Sequence, residues 1–361
     1  MRFHVIGLPH TNTTEAFENC AYTNKIVNFC NMMTSLDHEV ILYGGTENEA
    51  NVSEFVSCMP EEERLALLDG KHFLHVAYDA ELEGWQYFNN AVTNAIKERL
   101  EPKDFILFIA GSTQVDIANA FPNNIRVEYG IGYGGTFAPF RVFESEAWRH
   151  SIYAMHKNPT AVDGSFYDDV IPGYLDPAKY PLQETKEDYY LYVGRLISRK
   201  GIDIASQVCE KLGKRLIIAG IGDFKVPYGE HIGPVYGKEK AELMGKAIAV
   251  FTPTYYIEPF ANVHIEAQVC GTPVITSPWG VYSETVINGL NGYKCHTFKE
   301  FLDAAEAVKS LDPKTIHERA VSLYSVDNVR YKYETYFKRL YSLHGKGWYD
   351  LDYEENAVKK D

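Results

Sequence analysis

Short apolar runs alternate with longer polar–apolar segments along this chain, and the alternation breaks off once and then restarts. Before the break, strand-like runs at Phe3–Ile6, Glu39–Tyr43, Phe73–Ala77 and Phe105–Ala110 are separated by helical patterns over Tyr22–Leu36 and Gly84–Leu100. Such alternation argues for a parallel sheet wrapped by helices. From Val170-Ile171-Pro172-Gly173 through Pro177 and Pro181 to the charged stretch Glu184–Asp188, prolines and turn residues interrupt it, as an interdomain linker would. The pattern then resumes with Tyr189–Val193, a helix over Gly201–Leu212, Arg215–Ala219, Ala247–Thr252, a helix carrying Glu266, and Pro273–Thr276. The expectation is an α/β protein of two Rossmann-like domains, residues 1–172 and 173–328, with parallel sheets facing across a cleft. Residues 329–361 are expected to form a tyrosine-rich helix over Val329–Leu343 that crosses back to the first domain, then a polar, loose tail from Gly345.

Composition narrows the function classes. A chain of 361 residues with 45% hydrophobic content can bury two cores, yet its longest apolar runs fall far short of a membrane span. The N-terminus enters a strand-like pattern at once, without the apolar core and cleavage site of a signal peptide, so a cytoplasmic protein is expected. Six scattered cysteines, none at CxxC spacing, read as reduced thiols rather than a zinc or redox site. A net charge of −14 discourages non-specific attraction to nucleic acid or anionic lipid, which favours a soluble acceptor over a lipid-linked one.

Candidate chemistry concentrates in the second half. In Tyr256-Ile257-Glu258-Pro259-Phe260-Ala261-Asn262-Val263-His264-Ile265-Glu266-Ala267, two carboxylates bracket a helix start, with Glu258 in the loop and Glu266 about two turns into the helix. The N–H groups of Phe260, Ala261 and Asn262 would be free there to meet phosphate oxygens. In Val193-Gly194-Arg195 with Lys200-Gly201, a strand, a loop and a helix start bring Arg195 and Lys200 to the carboxyl end of a strand, where parallel α/β sheets bind ligands. Arg195 forks onto phosphate oxygens and Lys200 adds a point charge; taken alone, both are ordinary solvated loop charges. Gly222, in Ala219-Gly220-Ile221-Gly222, would allow close backbone approach of a nucleotide, or simply make a tight turn. Gly7 and His10, after the first strand, are candidates to border a transferred group, although a lone histidine is more often structural.

Two apparent motifs are set aside. Gly130-Ile131-Gly132-Tyr133-Gly134-Gly135 matches GxGxxG, but the following Thr136-Phe137-Ala138-Pro139 does not open a helix, so a cleft-lining loop is expected instead of a dinucleotide site. Glu128, Tyr129 and His150 around it are candidates to reach an acceptor and equally to be packing or surface residues. Asp350-Leu351-Asp352 has the form of a DxD metal motif but sits in the tail, and no metal or other cofactor is expected.

Taken together, Val193-Gly194-Arg195, Lys200-Gly201, Gly220 to Gly222, Glu258-Pro259-Phe260, Glu266-Ala267 and Cys270-Gly271-Thr272-Pro273-Val274-Ile275 resemble the retaining GT-B glycosyltransferases of family 4, across roughly Tyr189–Cys295. The resemblance implies the GT-B fold and a UDP- or GDP-linked sugar donor held mainly by the second domain. It places Arg195 and Lys200 on the diphosphate, Glu258 on donor-sugar hydroxyls, and Glu266 on the ribose, with Gly194, Gly222, Pro259, Phe260, Ala261 and Asn262 around the donor. One departure stands out: the family usually has glycine after this phenylalanine, whereas here Ala261 and Asn262 follow. Two other readings keep the same residues. One is a nucleotide-sugar binding protein without turnover. The other is a glycosyltransferase acting on a hydroxylated base in DNA through a basic cleft of Lys25, Arg126, Arg141 and Arg149, against which the net charge weighs.

Overall fold

The computed structural model describes residues 1–155 and 162–344; the tail beyond Gly345, with Asp350-Leu351-Asp352, lies outside the described residues. The chain divides into two compact units, the first made of Met1–Phe143, Asp163–Ile171 and the segment beginning at Arg330, the second of Glu144–Val162 and Pro172–Val329.

Unit 1 is built on a seven-stranded parallel sheet in the order β3-β2-β1-β4-β5-β6-β7. Its strands are β1 (Arg2–Ile6), β2 (Glu39–Gly44), β3 (Glu54–Ser57), β4 (Phe105–Phe108), β5 (Ile125–Ile131), β6 (Phe140–Phe143) and β7 (Asp169–Val170). Every residue of β4 is buried, as expected of a strand covered on both faces. Helices α1 (Ala21–Thr34), α2 (Glu61–Leu68), α3 (Glu83–Lys97) and α4 (Val115–Asn119) make the crossovers. The apolar run Phe73–Ala77 is not a strand: Phe73–His75 is a single 3-10 turn with Leu74 exposed and the Phe73 ring packed on Phe17 at 5.0 Å. The third strand position is taken instead by the less apolar Glu54–Ser57, an edge strand that pairs on one side only.

Unit 2 carries a six-stranded parallel sheet in the order β10-β9-β8-β11-β12-β13. The strands are β8 (Tyr190–Val193), β9 (Leu216–Ala219), β10 (Glu230–Gly233), β11 (Val250–Thr252), β12 (Val274–Thr276) and β13 (Gly292–Lys294). Its helices are α5 (Glu146–Met155), α6 (Ile202–Leu212), α7 (Gly237–Lys246), α8 (Asn262–Val269), α9 (Tyr282–Thr285), α10 (Phe298–Ala307) and α11 (Pro313–Tyr324). The sequence reading assigns 144–162 to the first domain; here the segment groups with unit 2, and the cause is local. Glu284 caps α5 by accepting from the N–H groups of Glu146 and Ala147 at 3.0 and 2.7 Å, and Ser145 Oγ donates to the Pro259 carbonyl at 2.6 Å.

The last described helix, α12 (Val326–Leu343), buries Val329, Tyr333, Tyr336, Phe337 and Leu340, a spacing that puts all five on one helical face. Within unit 1, the Phe337 ring lies 4.8 Å from Phe3, 5.2 Å from Phe105 and 5.9 Å from Phe29. Among the described residues, no helix is long and apolar enough to cross a membrane, and all six cysteines are free and buried.

The strand orders locate the binding positions. In unit 2 the chain winds outward in one direction from β8 and in the other from β11, so the crevice outside the carboxyl ends of these two neighbours is a topological switch point. The loops leaving it are Gly194–Gly201 and Pro253–Ala261.

Candidate active site in the second unit

Backbone geometry draws these two loops together. Gly201 ends a 3-10 turn over Ser198–Lys200 in the left-handed region, and a Cβ there would lie 1.9 Å from the Pro253 carbonyl oxygen. Tyr255 N–H donates to the Arg199 carbonyl at 2.9 Å, and the Tyr256 ring lies under both cations, 4.2 Å from the Arg199 guanidinium and 5.0 Å from Lys200 Nζ. Burial and a hydrogen bond to Glu258 push the Tyr256 phenol well up, so it stays neutral and donates.

Lys200 and Glu258, read from sequence as contacts for two different parts of a donor, are joined to each other: Nζ to Oε2 is 2.7 Å, with Glu258 buried. Gly280 makes room for this loop, since a Cβ there would come within 2.7 Å of Glu258 N, and Val281 N–H holds the Glu258 carbonyl at 3.0 Å. Arg195 is exposed, and its guanidinium has no hydrogen bond or ion pair among the described residues. It is close enough to Tyr192 and Tyr256 to act on both electrostatically.

At the start of α8, the N–H groups of Phe260, Ala261, Asn262 and Val263 donate to nothing among the described residues. The helix lacks a side-chain cap, so its N-terminal positive end is left for a ligand. Ala261, the capping residue, has φ 63 and ψ 77, a left-handed conformation that costs a non-glycine residue about 1–2 kcal/mol. Pro259 and Phe260 are structural supports: the Pro259 carbonyl receives Ser145, and Phe260 is buried with its ring 6.0 Å from Tyr324. The helix starts at Asn262, later than the sequence reading expects, so Glu266 lies just over one turn into α8 rather than two. Its Oε1 accepts from Lys240 Nζ at 2.9 Å and Tyr180 OH at 3.0 Å, while Oε2 is buried without a partner. A buried carboxylate oxygen without a donor is costly, and two ligand hydroxyls would satisfy it.

Other candidates have different work. A Cβ on Gly222 would meet the Leu196 carbonyl oxygen at 2.4 Å, and one on Gly220 the Gly194 oxygen at 1.8 Å. The close approach these glycines permit is between the loops after β8 and β9. Gly7 belongs to unit 1, where its N–H donates to the Tyr43 carbonyl at 2.7 Å and its carbonyl accepts from Gln114 at 3.0 Å. His10, also in unit 1, is buried against Tyr78 and Trp85, its Nδ1 lacks a partner, and burial lowers its pKa to about 4.

The acceptor candidates Glu128 and Tyr129 are neighbours on β5 in unit 1 but face opposite ways. Glu128 points into unit 1 and holds the glycine loop, accepting from Tyr133 OH at 3.1 Å and from the N–H groups of Phe137 and Ala138 at 2.8 and 2.9 Å. Its burial still outweighs those bonds and pushes its pKa up to about 7. Tyr129, the next residue of β5, turns to the opposite face and packs 4.4 Å from Phe29. His150 is exposed on α5 in unit 2. The loop after β5 leads to β6 rather than to a helix, as the GxGxxG reading expects.

The four cations proposed for a basic cleft are occupied separately. Lys25 is buried and donates to the Gly130 carbonyl at 3.0 Å, and Arg126 donates to the Ala118 carbonyl at 3.3 Å. Arg141 pairs with Asp168 at 2.7 Å, and Arg149, in unit 2, with Glu146 at 2.5 Å. Among the described residues, no group of three or more His, Cys, Asp or Glu side chains is placed to hold a metal ion. Sequence reasoning missed Tyr256, Lys240, Tyr180 and His264, and only Tyr256 had a signal, its position beside Glu258.

Residues 177–319 match the family Glycosyl transferases group 1. A glycogen synthase of Mycobacterium tuberculosis strain H37Rv is 33% identical over 174 residues, 42% of each chain, and a D-inositol 3-phosphate glycosyltransferase of Mycobacterium sp. strain KMS is 24% identical over 205 residues. The chain spans less than half the length of these curated relatives, 42% and 47%. Among solved structures, AviGT4, a glycosyltransferase involved in avilamycin A biosynthesis, superposes with a TM-score of 0.68 at 20% identity, covering 94% of this chain and 98% of its own. HepE of Anabaena, solved with UDP-glucose, gives 0.60 at 13% identity, covering 95% and 100%. The chain thus has the two-sheet GT-B fold, and its residues 177–319 match the Glycosyl transferases group 1 family.

Proposed function

We propose that the chain is a retaining glycosyltransferase that moves a sugar from a nucleoside diphosphate sugar to an acceptor hydroxyl. The observation that carries this reading is the row of four unengaged N–H groups at the start of α8, in a site that also holds the unengaged Arg195 and the Lys200–Glu258 pair. Donors left without partners on both loops of a switch point suit a diphosphate. A UDP-linked sugar is the first donor to try, because HepE is solved with UDP-glucose. Glu266 Oε2 is then the acceptor for ribose hydroxyls.

In the reaction, the bond from the anomeric carbon to the diphosphate oxygen breaks while a bond from the acceptor oxygen forms on the same face. Positive charge develops on the sugar ring and negative charge on the departing oxygen. Arg195, Lys200 and the α8 N-terminus stabilise the leaving charge, and the departing phosphate takes the acceptor's proton. Glu258, already bonded to Lys200 and Tyr256, orients donor-sugar hydroxyls rather than attacking carbon. The acceptor is a soluble hydroxyl compound.

The test is sugar transfer or donor hydrolysis by purified protein with excess UDP- or GDP-sugars, with and without EDTA. Arg195→Ala and Glu258→Gln are each expected to lower kcat/KM about 100-fold or more, the scale of losing one preorganised charge contact. Full turnover in both variants overturns the assignment. Tight donor binding without transfer or hydrolysis makes the chain a binding protein instead.

A further inference from the structure

The departure at Ala261 has a structural counterpart one helical turn away. The Ala261 carbonyl accepts two hydrogen bonds from one residue, His264: its N–H at 3.1 Å and its ring Nδ1 at 2.6 Å. Because a carbonyl only accepts, Nδ1 carries the proton and Nε2 presents a lone pair. That Nε2 is buried without a partner, with the ring among Phe260 at 5.4 Å, Tyr282 at 5.5 Å and Tyr324 at 6.3 Å. A fully buried imidazole with one nitrogen unsatisfied is a poor choice for packing alone, since a leucine would fill the space without the polar cost. What the imidazole adds is its bond to a carbonyl whose residue sits at φ 63, where a Cβ is unfavourable. Burial lowers the His264 pKa to about 4, so the neutral donor tautomer holds across the neutral range.

We propose that His264 is a positioning residue for the donor site: its ring clamps the Ala261 carbonyl, keeps this alanine left-handed, and so aims the free N–H groups of Phe260 to Val263 at the ligand. This rests on the donor reading above. Glycine at 261 would need no clamp, because it enters the left-handed region freely. The role of His264 therefore depends on which residue stands at 261, a dependence that core packing does not share.

The experiment is a double-mutant cycle of His264→Leu with Ala261→Gly in the full chain. It is read by the dissociation constants of UDP and GDP and separately by thermal unfolding without ligand. His264→Leu is expected to weaken binding of the preferred nucleoside diphosphate at least 10-fold with alanine retained, and less than threefold in the Ala261→Gly background. Its melting-temperature cost is expected to shrink in that background as well. Equal losses of affinity in both backgrounds, wild-type affinity in His264→Leu, or failure of both His264→Leu proteins to fold overturns the clamp. If His264→Leu unfolds the chain only while Ala261 is present, the clamp stands. Should the wild-type protein bind neither nucleotide, the donor reading falls, and the unfolding cycle alone decides the clamp: equal melting costs overturn it.

Discussion

Lys200 and Glu258 neutralise each other at 2.7 Å, Lys200 keeping 19% of its side chain exposed and Glu258 only 9%. A pair this enclosed contributes little net stability, but removing one member strands the other's charge. Lys200→Met is therefore expected to destabilise the protein by about 3 kcal/mol in denaturant unfolding. Adding Glu258→Gln to it is expected to recover most of that loss without restoring the proposed sugar transfer. A double variant as unstable as the single one shows that the lysine stem, not the charge, supports the loop. The identities of these residues were legible in the sequence, because arginine, lysine and glutamate at strand ends have few structural uses together. Their pairing was not, because it depends on how two loops, separated by more than fifty residues in the chain, approach across the switch point.

At the scale of elements, that approach is set by glycine. Gly201 closes the 3-10 turn after β8 at φ 71, and the Pro253 carbonyl occupies the space a side chain would need. Gly201→Ala thus meets left-handed strain and a backbone clash together, and neither is relieved by a rotamer change. Its expected cost is about 3 kcal/mol or more, with donor affinity falling because Lys200 is displaced. Chemical denaturation with a parallel UDP titration checks it; unchanged values show that the loop shifts at little cost. The strands and helices were legible where apolar runs are continuous, as in Phe105–Phe108. They were not at Phe73–His75, where aromatic and apolar residues serve a turn that packs on Phe17, nor at β3, β10 and β13, whose short runs mix polar residues and glycine. Local composition cannot separate an apolar turn from a strand when tertiary contacts decide.

For the whole molecule, three buried titratable groups set opposing pH dependences. His10 and His264 have their pKa lowered to about 4 by burial, against an ordinary 6.5. Below pH 6.5 the unfolded chain binds protons at these positions that the folded chain refuses, so stability is present above that pH and is lost progressively as it falls toward 4. Glu128 works the other way. Its pKa is raised from 4.5 to about 7, so the folded chain holds a proton that the unfolded chain releases, and its contribution is complete below 4.5 and lost as pH rises through 7. Glu128→Gln keeps a neutral side chain at every pH and is expected to remove the loss of stability between pH 4.5 and 7, a difference of at most about 3 kcal/mol. His10→Gln is expected to remove part of the loss below pH 6.5. These terms belong to separate units: Glu128 and His10 lie in unit 1 and His264 in unit 2. Denaturant unfolding of the wild type and both variants from pH 4 to 8 reads them directly. Parallel curves for Glu128→Gln and wild type above pH 5 would mean that the three bonds from Tyr133, Phe137 and Ala138 keep this carboxylate charged despite its burial.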